Sequence, residues 1–418
     1  VIAYSDRTRI EDHEKCPRKR FWRYHFDGTG IEGGDALKID ARIGTWVHNG
    51  IERWLNDDVH DEVSAVFHAK KCSDLFIVEC KGIVKWDELN DEQRFVIDEA
   101  GQIVKALVYA WCRVRGESLL ADYDILAVEQ EMTVDLEVGD GESESDVVRL
   151  MTRPDIVARR KTDGAIFVRN IKTVRDPGTT WREQWSLDMQ TLSEPLAVDK
   201  WLFDSSHEAS SVDGVSIDGL ITGEVLEYPK GSGHRYHNTP LLYAWCRKGI
   251  ANDPPFEVPD EWYPRYEWSC TGPHKMGNGR KCEGGRTHKL SGVTKESIEG
   301  RYPGGVIAWI DYLIDNDRPL VEDQLVELPP ILRSPYQIER WKRQVLPREI
   351  AIVESVNRMG QVSDLYLDND FPMHTASGNC LRPGKCAYYD LCHGSASNDP
   401  YAAGFRKRVP NHPQEGEV

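Results

Sequence analysis

Two β-rich runs, VVRLMTRPDIVARR (147–160) and AIFVRNIKTV (165–174), are joined by Lys161-Thr162-Asp163-Gly164. Val, Ile and Phe suit a pleated, half-buried surface, and Asp-Gly is a turn pair, so this stretch predicts an antiparallel hairpin. A hairpin constrains which residues share a face, because side chains alternate along each strand. Asn170 and Lys172, two apart on the second strand, point the same way, and Asp155 comes from the first. An acid, an amide and a lysine are thereby offered to one small volume.

The rest of the chain supplies the layers around that hairpin. Residues 6–26 predict a helix, followed by a Gly-rich loop, DGTGIEGGD (27–35). A second helix is expected over 41–56, where Ile43, Val47, Ile51 and Trp54 recur at helical spacing and His48 lies at the rim of the apolar face. Residues 60–118 read as further helix, clearest in AGQIVKALVYAWCRV (100–114). A β region opens with ILAVEQEMTVDLEV (125–138) and an acidic turn (139–146). Helix returns over 181–203, with a break expected near Pro195, and a strand pair is expected over 214–228. Residues 229–333 are loop-rich and read as an insertion or subdomain. Residues 334–358 are helical with an interruption at Pro347, and the polar tail 395–418 is expected to fray. The division is a helical region 1–120, a core 121–228, the insertion 229–333, a C-terminal helix and cysteine cluster 334–394, and the tail. The fold class is α/β (α+β), a central mixed β-sheet flanked by helices.

Charge and cysteines narrow the function. The net charge of -17 opposes whole-surface attraction to nucleic acid, so any such binding must be local. One basic stretch interleaves cations with aromatics: Arg18, Lys19, Arg20, Arg23 and Tyr24, with Phe21 and Trp22 between them. It suits phosphate contact and base stacking, or else a solvated helix with Phe21 and Trp22 in the core. No run of about 18 apolar residues is present, which argues against a transmembrane helix. The opening VIAYSDRTRI lacks the apolar core of a signal peptide, and the missing initial Met points to processing or trimming. Ten cysteines without a secretory signal favour a reducing, cytoplasmic setting, where clustered cysteines hold metal. Cys72, Cys80, Cys112 and Cys246 read as buried core residues. Cys16 stands alone near one end and Cys380, Cys386 and Cys392 form C-x5-C-x5-C near the other. Four thiolates can hold zinc or iron–sulfur, and the long separation argues against a local zinc knuckle. Cys270, His274, Cys282 and His288 could form a small zinc site, contact phosphate through their basic Gly-rich surroundings, or be ordinary loop residues.

The Pro154-Asp155 and Asn170-Ile171-Lys172 pair resembles the PD-(D/E)xK nuclease superfamily, and more narrowly its RecB-like branch. The resemblance covers residues 6–228 and 334–393 in outline, leaving 229–333 unexplained. It implies a restriction-endonuclease-like core and a metal-dependent DNA nuclease, an exonuclease acting on a strand end or single strand. It implies Mg2+ or Mn2+ held by His48, Asp155, position 170 and the Ile171 carbonyl, with Lys172 assisting the attacking water and Gln190 contacting the strand. Its iron–sulfur subgroup, which includes AddB-type helicase–nucleases, prokaryotic and phage exonucleases and CRISPR-associated relatives, implies a [4Fe–4S] cluster on Cys16, Cys380, Cys386 and Cys392. That cluster would join the N- and C-terminal segments. A prokaryotic or phage origin and a helicase or other nucleic-acid-processing partner follow from the same likeness. No GxxxxGK[ST] run is present, so an unwinding motor would be another chain.

The chain departs from the pattern at Asn170, where an acid is expected. Asn keeps a carbonyl oxygen and loses a full charge, which weakens a magnesium site. Three readings stay open. Another acid, Glu129 or Glu131, completes the site; the Asn is an engineered change; or the protein is a nuclease-like fold that binds nucleic acid or assembles without cutting.

Overall fold

The computed structural model describes residues 1–33, 38–89, 91–138, 146–175, 177–205, 211–222, 324–359, 364–374, 380–381, 385–394 and 399–410, with short pieces between 234 and 322. Eight strands and eight helices build the part that positions the site. The strands are β1 (Ile2–Asp6), β2 (Ile31–Glu32), β3 (Tyr123–Val128), β4 (Met132–Val138), β5 (Asp146–Thr152), β6 (Ile156–Arg160), β7 (Ile166–Val174) and β8 (Val212–Ile221). The helices are α1 (Arg7–Lys15), α2 (Pro17–Arg20), α3 (Ile39–Leu55), α4 (Glu62–Ile83), α5 (Asp91–Trp111), α6 (Glu117–Asp122), α7 (Thr179–Gln184) and α8 (Gln190–Asp204).

The central sheet has five strands, in the order Leu325–Glu327, β8, β7, β6, β3. β6 and β7 form the antiparallel hairpin, with Val157 opposite Val168, and β7 runs parallel to β8 through the α7–α8 crossover. Alternation along the strands feeds two apolar layers. Ile156, Ala158, Ile171 and Leu220 face α3, α4 and α5, joining Val47, Ile51, Trp54, Phe76 and Trp111. Val157, Val168, Val215 and Ile217 face the other way, against Trp185, Ala197, Val198 and Leu202. Each fully buried Val, Leu, Ile or Phe among these contributes roughly 1.5–3 kcal/mol of transfer free energy. A second sheet, ordered β1, β5, β4, packs on the long helix Pro335–Met359 through Leu136, Val148, Leu150, Trp341 and Val345.

The structure corrects several expected boundaries. The run 125–138 is two strands, β3 and β4, in different sheets, and 147–160 is likewise β5 and β6. The helix expected over 6–26 begins with β1 and breaks at Cys16, which is extended (φ -168, ψ 112). Pro17 is the cause, because its ring disfavours the α conformation in the residue before it. The helix expected over 60–118 divides between α4 and α5, with a short 3-10 turn, Trp86–Glu88, between them. Pro195 and Pro347 both lie inside continuous helices, and the break near 181–203 falls between α7 and α8 instead. Val345, Leu346 and Ile350 flank Pro347 in the core, and their packing holds the helix together there. Of the pair expected over 214–228, β8 is formed, with Leu325–Glu327 as its antiparallel neighbour, whereas 223–233 lie outside the described residues. The tail is not wholly frayed, since Arg406–Lys407 pairs with β2.

Candidate metal centre

The two places where the chain passes from one sheet to the other lie side by side. Between β3 and β4 the chain turns at Glu129, which takes φ 48, a left-handed conformation unusual for a residue with a Cβ. Between β5 and β6 it turns at Arg153-Pro154-Asp155. The Glu129 N–H donates to the Asp155 carbonyl at 3.0 Å, so the two turns are fastened together and their carboxylates converge.

His48 reaches the same point from α3. Gly44, one turn earlier, lies so close to β7 that a Cβ there would meet Thr173 Oγ1 at 2.8 Å. The missing side chain is what lets α3 settle on the sheet. His48 Nδ1 then stands 3.5 Å from Asp155 Oδ1 and 3.5 Å from Glu129 Oε1. The other Asp155 oxygen accepts the Ile171 N–H at 2.5 Å and lies 3.6 Å from Lys172 Nζ. Arg153 Nε neutralises the far oxygen of Glu129 at 3.1 Å. Ligand atoms of His48, Glu129 and Asp155 all fall within 4.8 Å of one another. Two carboxylates and an imidazole at that spacing fit a divalent cation such as Mg2+ or Mn2+.

The electrostatics follow from the geometry. Burial alone pushes the His48 imidazole down, but the Asp155 charge and hydrogen bonds to Asp155 and Glu129 outweigh it and raise it to about 9. Burial likewise pushes Asp155 up, and Lys172 and His48 overcome this, holding its carboxyl well below the usual range. The pair is therefore charged at neutral pH, and a cation entering the site displaces the His48 proton.

Beside this group lies a second, buried cluster. Asn170 is completely buried; its Nδ2 donates to Glu194 Oε2 at 2.6 Å and its Oδ1 accepts from Gln190 Nε2 at 2.9 Å. Gln190 Nε2 also donates to Glu194 Oε1 at 2.5 Å, and its own oxygen accepts from the Arg7 guanidinium. Burial pushes Glu194 up to about 7, against the pull of Lys172 and its two amide donors. A cavity of about 730 Å3 opens over the first cluster and reaches Glu194 of the second, walled also by Asp6, Arg7, Asn49, Glu52 and Arg153.

The structure thus brings together His48, Asp155, Asn170, Ile171, Lys172 and Gln190. Glu129 joins them, as one of the helper acids considered, whereas Glu131 is not among the converging ligand atoms. Glu194 was not singled out from the sequence, although its place four residues after Gln190 puts it on the same helix face.

The basic stretch is a correction. Arg18 is buried and donates to the carbonyls of Phe371 (2.7 Å) and Leu367 (3.1 Å) and to Asp368. Arg20 is buried in a two-pronged pair with Glu349 at 2.8 and 2.7 Å. Lys19 and Arg23 both bind Asp12, at 2.6 and 2.8 Å, and Tyr24 is buried beneath Arg9 and Arg408. Arg18 and Arg20 are spent on holding the N-terminal segment to the C-terminal one, and Lys19 and Arg23 are spent on Asp12 within the N-terminal segment. The cations that do face the cavity are Arg7 and Arg153.

Cys16, Cys380, Cys386 and Cys392 are free and half-buried. Burial raises the Cys380 thiol, with Cys16 and Cys386 adding to the effect; burial also raises Cys392, to about 11, again with Cys16 and Cys386 contributing. No three of their sulfurs lie within 4.8 Å of one another, and among the described residues only the His48 group meets that closeness. Cys72, Cys80 and Cys112 are core residues, and Cys246 lies outside the described residues. In the insertion, the backbone pairs His274 with Cys282, His288 with Trp268 and Cys270 with His234; the side chains of this set lie outside the described residues.

A mixed sheet between helical layers, with two acids at the turns that break its strands, a lysine on β7 and a histidine on α3, makes an α/β core around the site. Residues 7–200 match the model of the PD-(D/E)XK nuclease superfamily, a span that holds every residue of the two clusters. No match is found among curated proteins. Among the described residues no helix is long and apolar enough to cross a membrane.

Proposed function

We propose that the protein is a metal-dependent DNA nuclease of the RecB-like branch, acting as an exonuclease on a strand end or single strand. The observation that carries the reading is the convergence of His48, Glu129 and Asp155 beside Lys172, under a cavity walled by Arg7 and Arg153. The chemistry that Mg2+ or Mn2+ supplies when bound there is neutralisation of the phosphate and activation of water. Asp155, His48 and Glu129 would hold the cation. Lys172, anchored by Asp155, presents its ammonium where an attacking water and developing negative charge need it. Arg7 and Arg153 are the two arginines on a wall that also carries Asp6, Glu52, Glu129, Asp155 and Glu194, so a bound cation would be needed to draw a phosphate backbone in, with the arginines steering it. Gln190, bonded to Arg7, Asn170 and Glu194, orients that wall from within.

A [4Fe–4S] cluster on Cys16, Cys380, Cys386 and Cys392 belongs to the same proposal. The placing of Cys380 and Cys392 within electrostatic reach of Cys16 and Cys386 supports it, as does the Arg20–Glu349 pair that already ties the two ends together. Its role would be structural, with a helicase or another nucleic-acid-processing protein as partner. Iron content and visible absorbance of an anaerobic preparation test the cluster, and a colourless, iron-free protein would overturn it.

Cleavage of end-labelled single- and double-stranded DNA with Mn2+, under anaerobic conditions, tests the activity. Wild type is expected to shorten labelled strands from an end, and Asp155→Ala to leave them intact. Hydrolysis that persists in Asp155→Ala would refute the assigned site. DNA binding without hydrolysis would favour the second reading, a non-cutting nucleic-acid-binding protein, to which Asn170 lends its weight.

A further inference from the structure

The site's weakest point is its charge. Position 170 has an amide where the resemblance expects an acid, yet a carboxylate lies against that amide. Glu194 comes from α8, is 3% exposed, and lines the same cavity as Asp155 and His48. Its two oxygens accept from Asn170 Nδ2 at 2.6 Å and Gln190 Nε2 at 2.5 Å, both neutral donors. It lies within the electrostatic reach of Lys172 and Asp155. Among the described residues no Lys, Arg or His comes within ion-pair distance of it. A buried carboxylate held only by amides is costly, and a cation in the cavity beside it would offset that cost.

We propose that Glu194 is the acid missing from position 170: a metal-ligating carboxylate delivered from α8 rather than β7, with Asn170 and Gln190 aiming it. The assignment rests on the nuclease reading above. It turns Asn170 from a defect into a holder, since its Nδ2 fixes one carboxylate oxygen and its Oδ1 fixes the glutamine that grips the other. A glutamine offers one acceptor where Glu194 offers two, so Glu194→Gln removes the charge and one of the two hydrogen bonds together, and an exchange of the pair is needed to separate them.

The test is an exchange of the pair in the full chain. Mn2+ affinity is measured by calorimetry, with cleavage as a second readout. Glu194→Gln is expected to weaken Mn2+ binding by at least roughly 10- to 100-fold, the range for losing a group that only supports a ligand, since here a ligating charge itself is lost. Asn170→Asp combined with Glu194→Gln puts the acid back on β7 and is expected to recover most of that loss. The exchange keeps one acid and one amide in contact, so it preserves the hydrogen bond even where Glu194→Gln alone disturbs the core. Wild-type affinity in Glu194→Gln, or no recovery in a folded exchange variant, would overturn the inference and leave the nuclease reading standing. A wild-type protein that binds no Mn2+ would overturn both.

Discussion

Metal binding at this site should depend steeply on pH, and the slope can be worked from His48. Its imidazole is raised to about 9, mainly because Asp155 and Glu129 overcome the effect of burial. Below that value His48 carries a proton that a cation must expel. Apparent affinity should therefore rise about tenfold per pH unit and level off above about 9, leaving affinity at pH 7 about 100-fold below the plateau. Asp155 is held well below the usual carboxylate range, so it stays ionised throughout and adds no slope. Calorimetric Mn2+ titrations from pH 6.5 to 8, in buffers of different ionisation enthalpy, read both the slope and the protons released. About one proton per cation is expected near pH 7 from His48, with about half a proton more from Glu194 if it also ligates the cation, since its carboxyl is pushed up to about 7. The same His48 proton stabilises the fold: a raised folded-state pKa gives stability that is present below about 6.5 and lost as pH rises through about 9, worth roughly 3 kcal/mol at most. A flat affinity between pH 6.5 and 8, with no proton release, would refute the claim that His48 is both charged and displaced.

Two further outcomes test the scaffold. Gly44→Ala should cost about 1–3 kcal/mol in urea unfolding and weaken Mn2+ binding, because its Cβ would meet Thr173 Oγ1 at 2.8 Å and lift α3 from β7; unchanged stability would show that Thr173 simply rotates away. Arg20→Met should cost about 3–5 kcal/mol by stranding the buried Glu349, whereas Arg20→Met with Glu349→Met should cost much less, and equal losses in both would refute the reading of a paired buried charge.

Asp155, Lys172 and His48 were legible chiefly through their likeness to the PD…xxK pattern and its helix histidine, although Asp155 sits in the turn just before β6 rather than on the hairpin strand. Glu129 was harder to place, since it reaches the site only through a left-handed turn at a residue with a Cβ. Glu194 was hidden for a different reason: its significance appears only when Asn170 and Gln190 are seen bonding to it. The basic stretch misled because local composition does not reveal distant partners. Arg18 and Arg20 find theirs in Leu367, Asp368, Phe371 and Glu349, more than 300 residues along the chain. The break at Cys16 was readable from Pro17. Pro195 and Pro347 were given too much weight, because tertiary packing carries a helix across a lost hydrogen bond.

The fastened turns at Glu129 and Asp155 also govern which parts of this molecule are free to vary. Both acids sit on one joint, linked through the Glu129 N–H and the Asp155 carbonyl. From that joint β4 and β5 run out together as an arm, paired from Met132 with Thr152 to Val138 with Asp146. Seven residues of strand put the far end of the arm about 20 Å away. Chain added or removed at that far end would lengthen or shorten the arm and reshape what it touches, while the spacing of the two acids stayed as it is.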